Sequence, residues 1–119
     1  MLVVLPTLLL IFFGIMEFSR AWLMVNLVTT ATREGARVGV VTPTLAGNVF
    51  DAAPAEARID QILIGATRNV TCAAPCVTGS QVQARVQLSF STFVPLLSTW
   101  LGTTQSPIII DRTTTMRYE

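Results

Sequence analysis

Residues 1–41 read MLVVLPTLLLIFFGIMEFSRAWLMVNLVTTATREGARVGVV, and this stretch decides the fold. Up to Met16 it holds no charge, and only Pro6, Thr7 and Gly14 interrupt an aliphatic and aromatic run. Glu17 is the first charge and Arg20 the second; apolar character resumes at Ala21, Trp22, Leu23, Met24 and Val25. One bilayer crossing takes about 20 apolar residues, and about 17 at the least. The run is slightly short up to Glu17 and long enough if the Glu17–Arg20 pair is accommodated. Leu5, Leu8, Leu9, Ile11, Phe12, Phe13, Ile15, Phe18 and Trp22 are therefore the candidate membrane-facing or subunit-packing side chains. A cleaved secretory signal is the bland alternative. It would carry a basic leading region and a small-residue cleavage site. No basic residue precedes this run, no Ala-x-Ala closes it, and the helical pattern continues past it.

Beyond residue 25, polar side chains recur at Asn26, Thr29, Thr30, Arg33 and Arg37. Spacings of three and four mark one face of a helix. Val25, Val28, Ala31, Gly35, Ala36 and Val38 fill much of the remainder. The pattern predicts a helix from about residue 2 to about 39, ending before Thr42-Pro43 because a proline disfavours helical backbone in the residue before it. At 1.5 Å per residue its length is about 55 Å. The rest of the chain is too small to cover such a helix. Its first half must be buried in lipid or against copies of itself. Pro6 falls in the first turns, where a missing N–H costs little. Glu17 and Arg20, three apart, can meet on one helix face. Two readings stand side by side: a pair at the membrane–water boundary with the arginine snorkelling, or Glu17 paired with an arginine of a neighbouring subunit inside a helical bundle. Unpaired charge at such depth is costly.

The 119 residues suit one domain, or one small domain plus an extended segment. Apolar residues make up 51% and charged residues 13%, with eight Arg against seven acids, no Lys and no His. Intrinsic disorder needs low hydrophobicity and high net charge. Electrostatic nucleic-acid binding needs a basic surplus. Neither fits a net charge of +1. Without histidine there is no imidazole base or ligand. The composition points to no catalytic residue, no cofactor and no metal.

Residues 42–51, with Pro43, Gly47 and Asn48, read as a loop. Residues 52–67 read as a helix, with Asp51 as N-cap and Ala55, Ile59, Ile62, Leu63 and Ala66 as its apolar stripe. Glu56 and Asp60 fall four apart, which reads as a solvated face rather than an acid/base pair. Cys72 and Cys76 are the only cysteines, too few for a zinc site and at the wrong spacing for a CxxC motif. The favoured reading is a local disulfide closing a proline-containing turn in an oxidising compartment; two buried free thiols are the alternative. Residues 81–93 alternate, with Val82, Ala84, Val86, Leu88 and Phe90 facing one way, as in a strand with one buried face. Leu96, Leu97, Trp100 and Leu101 give an apolar connection. Residues 107–118 again look strand-like. The two strands should pair antiparallel, with the shorter, amphipathic helix across their apolar face. The expected architecture is α+β, divided into an N-terminal helix over 1–41 and a small domain over 42–119. Asn69-Val70-Thr71 matches a glycosylation acceptor pattern that is frequent by chance.

Residues 4–41 resemble the TadE-like family of pilin-related proteins. Leu5-Pro6, then Gly14, Ile15, Glu17, Phe18 and Arg20, then Arg33-Glu34-Gly35-Ala36-Arg37 stand where that family's motifs stand. Thr115-Met116-Arg117-Tyr118 is similar to the close of such chains. The resemblance implies a type IV pilin-like fold and a subunit or accessory component of tight-adherence (Tad) pili. It implies other copies of the chain, the inner membrane, the pilus assembly machinery and a prepilin peptidase as partners. The peptidase removes a short basic leader, and the subunit passes from the bacterial inner membrane to an extracellular surface filament. Relatives carry an acid near mature position five, where this chain has Leu5. Either the processing site lies upstream of the first residue here, or this member lacks that acid; Glu17 then takes some of its role. Arg20, Arg33 and Arg37 all follow the apolar run, so the positive-inside rule alone would leave the C-terminal part in the cytoplasm. The expected disulfide and the resemblance argue for the opposite side. The leading reading is a filament subunit polymerising through its N-terminal helix. The others are a membrane-anchored minor pseudopilin assisting assembly, and a membrane-tethered binding or adhesion module.

Overall fold

A computed structural model describes residues 3–42, 49–73, 75–91 and 107–117. Helix α1 spans Val4–Val41. At 1.5 Å per residue its 38 residues extend about 57 Å. Its end is set by Pro43: Thr42 turns to extended backbone, and its N–H closes the last turn onto the Val38 carbonyl at 3.0 Å. Helix α2 spans Ala53–Ile62, with Pro54 in its first turn. The N-cap position falls to Ala52 rather than to the expected Asp51, which stands one residue earlier and whose Oδ1 accepts a hydrogen bond from the Ala53 N–H at 3.0 Å.

Strands β1 (Thr67–Cys72), β2 (Gln81–Phe90) and β3 (Ile108–Arg117) form one antiparallel sheet in the order β1-β2-β3. The register sets Val70 beside Ala84, and Leu88 beside Ile110. The fold is α+β: a long apolar helix, a short helix and three antiparallel strands. The expected pairing of β2 with β3 is present. Leu96, Leu97, Trp100 and Leu101 lie outside the described residues.

Two expectations are corrected. The second helix ends at Ile62 rather than near residue 67, and residues 67–72 form a strand. Leu63 leaves helical backbone at φ −139°, and Gly65 takes φ +84°, a left-handed conformation that side chains other than glycine resist. Leu63 and Ala66 are buried as expected, but in the turn that feeds β1. The second correction concerns what covers the sheet. The C-terminal half of α1 lies across β2 and β3, and α2 packs mainly on α1. Small residues make this possible. Ala31, Gly35, Ala36 and Gly39 are all buried on the inward face of α1. A Cβ on Gly35 would lie 2.6 Å from Ile59, and one on Gly39 would lie 3.1 Å from Val82. A larger residue at either position would push an element away.

Val28, Ile59, Val82 and Val86 are the largest apolar side chains fully enclosed at this junction. Thr32 is buried among them, its hydroxyl donating to the Val28 carbonyl one turn back. On the periphery, Arg68 of β1 pairs with Asp60 of α2 at 2.6 Å, so that acid belongs to a tie between elements and not only to a solvated face. On the outer sheet face Arg85 holds Asp111 through Nε and Nη2, and Gln87 Nε2 donates to the same carboxylate at 3.0 Å. The hydrogen bonds from Arg85 and then Gln87 lower the Asp111 pKa to about 2, and Asp111 raises that of Arg85.

Packing at Gly35 generates the first prediction. Helix propensity favours alanine over glycine by about 1 kcal/mol, but overpacking a closed core costs about 1–3 kcal/mol. Ile59 is fully buried and has little room to retreat. Gly35→Ala should therefore lower the thermal unfolding midpoint of the detergent-solubilised chain. Gly14→Ala, whose Cβ would meet nothing within 4 Å, should leave it equal or higher. Asp111 generates the second. Its pKa falls from 3.8 unfolded to about 2 folded, so its contribution is complete above about pH 4. That contribution is lost as pH drops from 4 to 2. Denaturation midpoints measured across this window should fall less steeply in Asp111→Asn than in the parent.

Candidate functional site

The N-terminal half of α1 has no counterpart in the core. Leu5, Leu8, Leu9, Ile11, Phe12, Phe13, Ile15, Phe18 and Trp22 are each between 44% and 69% exposed. A soluble surface helix confines its apolar residues to one stripe, whereas this one is apolar all round, which is how a helix enclosed by lipid or by other helices reads. Its most apolar 18-residue window has none of its residues buried within the chain. Among the described residues, α1 is the single helix long and apolar enough to cross a membrane. The change of character is abrupt. Ala21, Met24 and Val25 are half-buried, and the first fully buried residue is Val28.

The aromatic residues of this half stack within the helix. Phe12 and Phe13 meet edge to face with centroids 6.1 Å apart. Phe18 and Trp22, one turn apart, stack at 6.3 Å. Two hydroxyls here are satisfied locally. The Thr7 hydroxyl donates to the Val3 carbonyl and the Ser19 hydroxyl to the Ile15 carbonyl, both at 2.9 Å. Neither needs water.

Glu17 and Arg20 sit where the exposed half meets the domain. Glu17 is half-buried and, with Arg20, Phe13 and Met16, lines a shallow apolar groove. The Arg20 guanidinium lies over the Phe90 ring at 5.0 Å, a cation–π contact that ties the helix to the end of β2. Sequence reasoning could not have placed it, because the pair is 70 positions apart and meets only through the sheet. Far from these residues, Cys72 and Cys76 form a disulfide that bridges the start of the β1–β2 connection. The Ser80 hydroxyl closes the same loop, accepting from the Val77 N–H and donating to the Pro75 carbonyl, both at 3.2 Å. The disulfide is a local clamp on a loop, remote from the exposed helix.

Among the described residues no three Cys, Asp or Glu side chains converge as a metal site would require. The chemistry on offer is association: a cylinder of apolar side chains carrying one acid and one arginine near its domain end.

Against known families the exposed helix is distinctive. The family described as TadE-like protein matches residues 1–37, covering the exposed half of α1 and most of its packed half. The match covers about a third of the chain, and over this N-terminal stretch the chain is similar to TadE-like proteins. No curated protein and no solved structure matches the chain.

The separation of exposed helix and clamped loop generates a further prediction. An acid replacing an aromatic at a helix centre shifts insertion by about 3 kcal/mol. Phe12→Asp should therefore move most of the chain out of the carbonate-resistant membrane fraction. Reducing the disulfide releases a five-residue loop, with a chain-entropy effect of about 2 kcal/mol on domain stability. It should leave membrane association intact. The reverse pattern in fractionation would overturn this division.

Proposed function

We propose that the chain is a pilin-like subunit of a Tad-type surface filament, polymerising through the exposed half of α1. The observation that carries this reading is an apolar helix, exposed on every side, that ends in a compact domain. Such a helix needs enclosure throughout its existence. Lipid provides it before assembly, and neighbouring copies provide it afterwards. Leu5, Leu8, Leu9, Ile11, Phe12, Phe13 and Ile15 would interdigitate with the same residues of adjacent subunits, while the sheet faces outward. Glu17 and Arg20 sit at the base of that bundle. In the filament, Glu17 would also come within reach of an arginine of a neighbouring copy, and charge in an apolar bundle is stabilised by such neighbours. Processing by a prepilin peptidase, handling by the pilus assembly machinery and an extracellular destination belong to this reading. The disulfide supports an oxidising environment for the domain.

A second reading has its own support. The apolar stretch from Val4 to Arg20 is about 25 Å long, enough to cross much of a bilayer. A permanent anchor of a non-polymerising pseudopilin would look the same. Electron microscopy of sheared surface fibres, with immunolabelling of this chain, separates the two. Filament subunits should decorate the fibres along their length. Confinement of the chain to detergent-extracted membranes would favour the pseudopilin. Within the filament reading, Glu17→Gln should cut fibre yield about tenfold and leave membrane insertion unchanged. An undiminished yield would remove Glu17 from the assembly contact.

A further inference from the structure

The end of the domain from which the exposed half of α1 emerges is itself apolar. Three segments reach it: the α2–β1 turn, the end of β2 and the start of β3. Arg20, Ile64, Phe90 and Ser91 line one groove there, so these segments lie level with Arg20. Phe90 is the register partner of Ile108, which brings the start of β3 to the same level. Ile64 is 91% exposed, Ile109 65% and Ile108 54%. None of the three is placed by the core. Ile108 and Ile109 project to opposite faces of the sheet, so the apolar character belongs to the rim and not to one face.

Depth along α1 gives this rim its partner. From Val4 to Arg20 the helix rises about 25 Å, close to the hydrocarbon thickness of a bilayer. If that stretch crosses the membrane, Arg20 reaches the headgroup layer, with Trp22 just beyond it. Indole rings and arginines are the residues that favour this layer. Apart from the Glu17 carboxylate one turn back on α1, the described residues of the rim carry one charge, the Arg20 cation, which suits lipid phosphate. Exposed aliphatic residues at this level would enter the boundary between headgroups and acyl chains, where apolar side chains leave water.

We propose that this proximal rim, with Ile64, Ile108 and Ile109 around Arg20, is a seat on the lipid surface that holds the domain against the membrane before assembly. It rests on the membrane-spanning reading of α1 and adds a second attachment to it. Two attachments, one through the helix and one through the rim, fix the tilt of the domain on the bilayer. They would present subunits to a growing assembly in one orientation.

The test uses the full chain in phosphatidylcholine–phosphatidylglycerol vesicles. The native disulfide stays oxidised, so a single introduced cysteine takes the fluorophore NBD. Labels go at Ser91→Cys in the rim, Leu9→Cys in the spanning half and Thr113→Cys on the outer sheet face, all exposed positions. Lipids brominated near the glycerol end of the acyl chains act as quencher. Ser91 should be quenched at least twofold and Thr113 hardly at all. Adding Ile64→Ser and Ile109→Ser should remove at least half of the quenching at Ser91 while leaving Leu9, probed with deeper bromines, unchanged. If Leu9 is quenched and Ser91 behaves like Thr113, the seat is wrong and the span stands. Unchanged Ser91 quenching in the serine variant also overturns the seat. If Leu9 is not quenched, the spanning reading fails and takes the seat with it. Quenching at Ser91 that is the same from dilute to crowded vesicles supports lipid as the occupant. Quenching that changes markedly with crowding would overturn it in favour of a second copy.

Discussion

The structure depends on one mismatch: a helix of 38 residues joined to a domain that can enclose only its second half. Everything else follows from how the enclosed half is held. Its inward face is built of alanine, glycine and one threonine, so the sheet and α2 can approach the helix backbone closely. Close approach from Val28 to Gly39, about three turns, anchors the helix firmly enough that the exposed half projects in a fixed direction. A looser junction would leave the apolar half swinging relative to the domain, and neither a bilayer nor a bundle could then define where the domain stands. The Arg20–Phe90 contact ties the helix to the domain where the two regimes meet.

The sheet is correspondingly asymmetric. Its inner face is hydrophobic around Val82, Ala84 and Val86, where the helix lies. Its outer face, from Thr67 through Gln83 to Thr115, is polar and nearly uncharged, with Arg85 and Asp111 neutralising one another. Charges that cancel locally add little to the long-range field of the domain.

The long helix was legible because its two signals are long-range and redundant: an uncharged run to Met16 and a three-and-four repeat of polar residues beyond Val25. The alternation of β2 was equally plain, since ten residues in register leave little ambiguity. β1 was not legible. It is six residues long, buries only Val70 fully, and follows Leu63 and Ala66, whose spacing continues the helical stripe of Ile59. Those two residues are buried for a different reason, in a turn forced by Gly65. The choice of α1 over α2 as the cover for the sheet also escaped a reading by hydrophobicity. The relevant signal was size: Ala31, Gly35, Ala36 and Gly39 recur at close-packing intervals, but small residues weigh little in an apolar pattern. At the candidate site the apolar side chains were evident from sequence alone. The partner of Arg20 and the tie between Asp60 and Arg68 were not, because each is created by tertiary placement.

The hydroxyls of the exposed half have a further consequence. Thr7 and Ser19 bond to carbonyls of their own helix, one turn back. The helix therefore brings its hydrogen bonds with it, whatever surrounds it. Passing from acyl chains to the side chains of other helices would exchange one set of dispersion contacts for another, with no hydroxyl released and none recaptured. The energetic difference between the two environments then falls almost entirely on shape complementarity and on the surroundings of Glu17 and Arg20. A helix built this way is close to solvent-neutral between lipid and protein, so the transfer can run in either direction with a small bias.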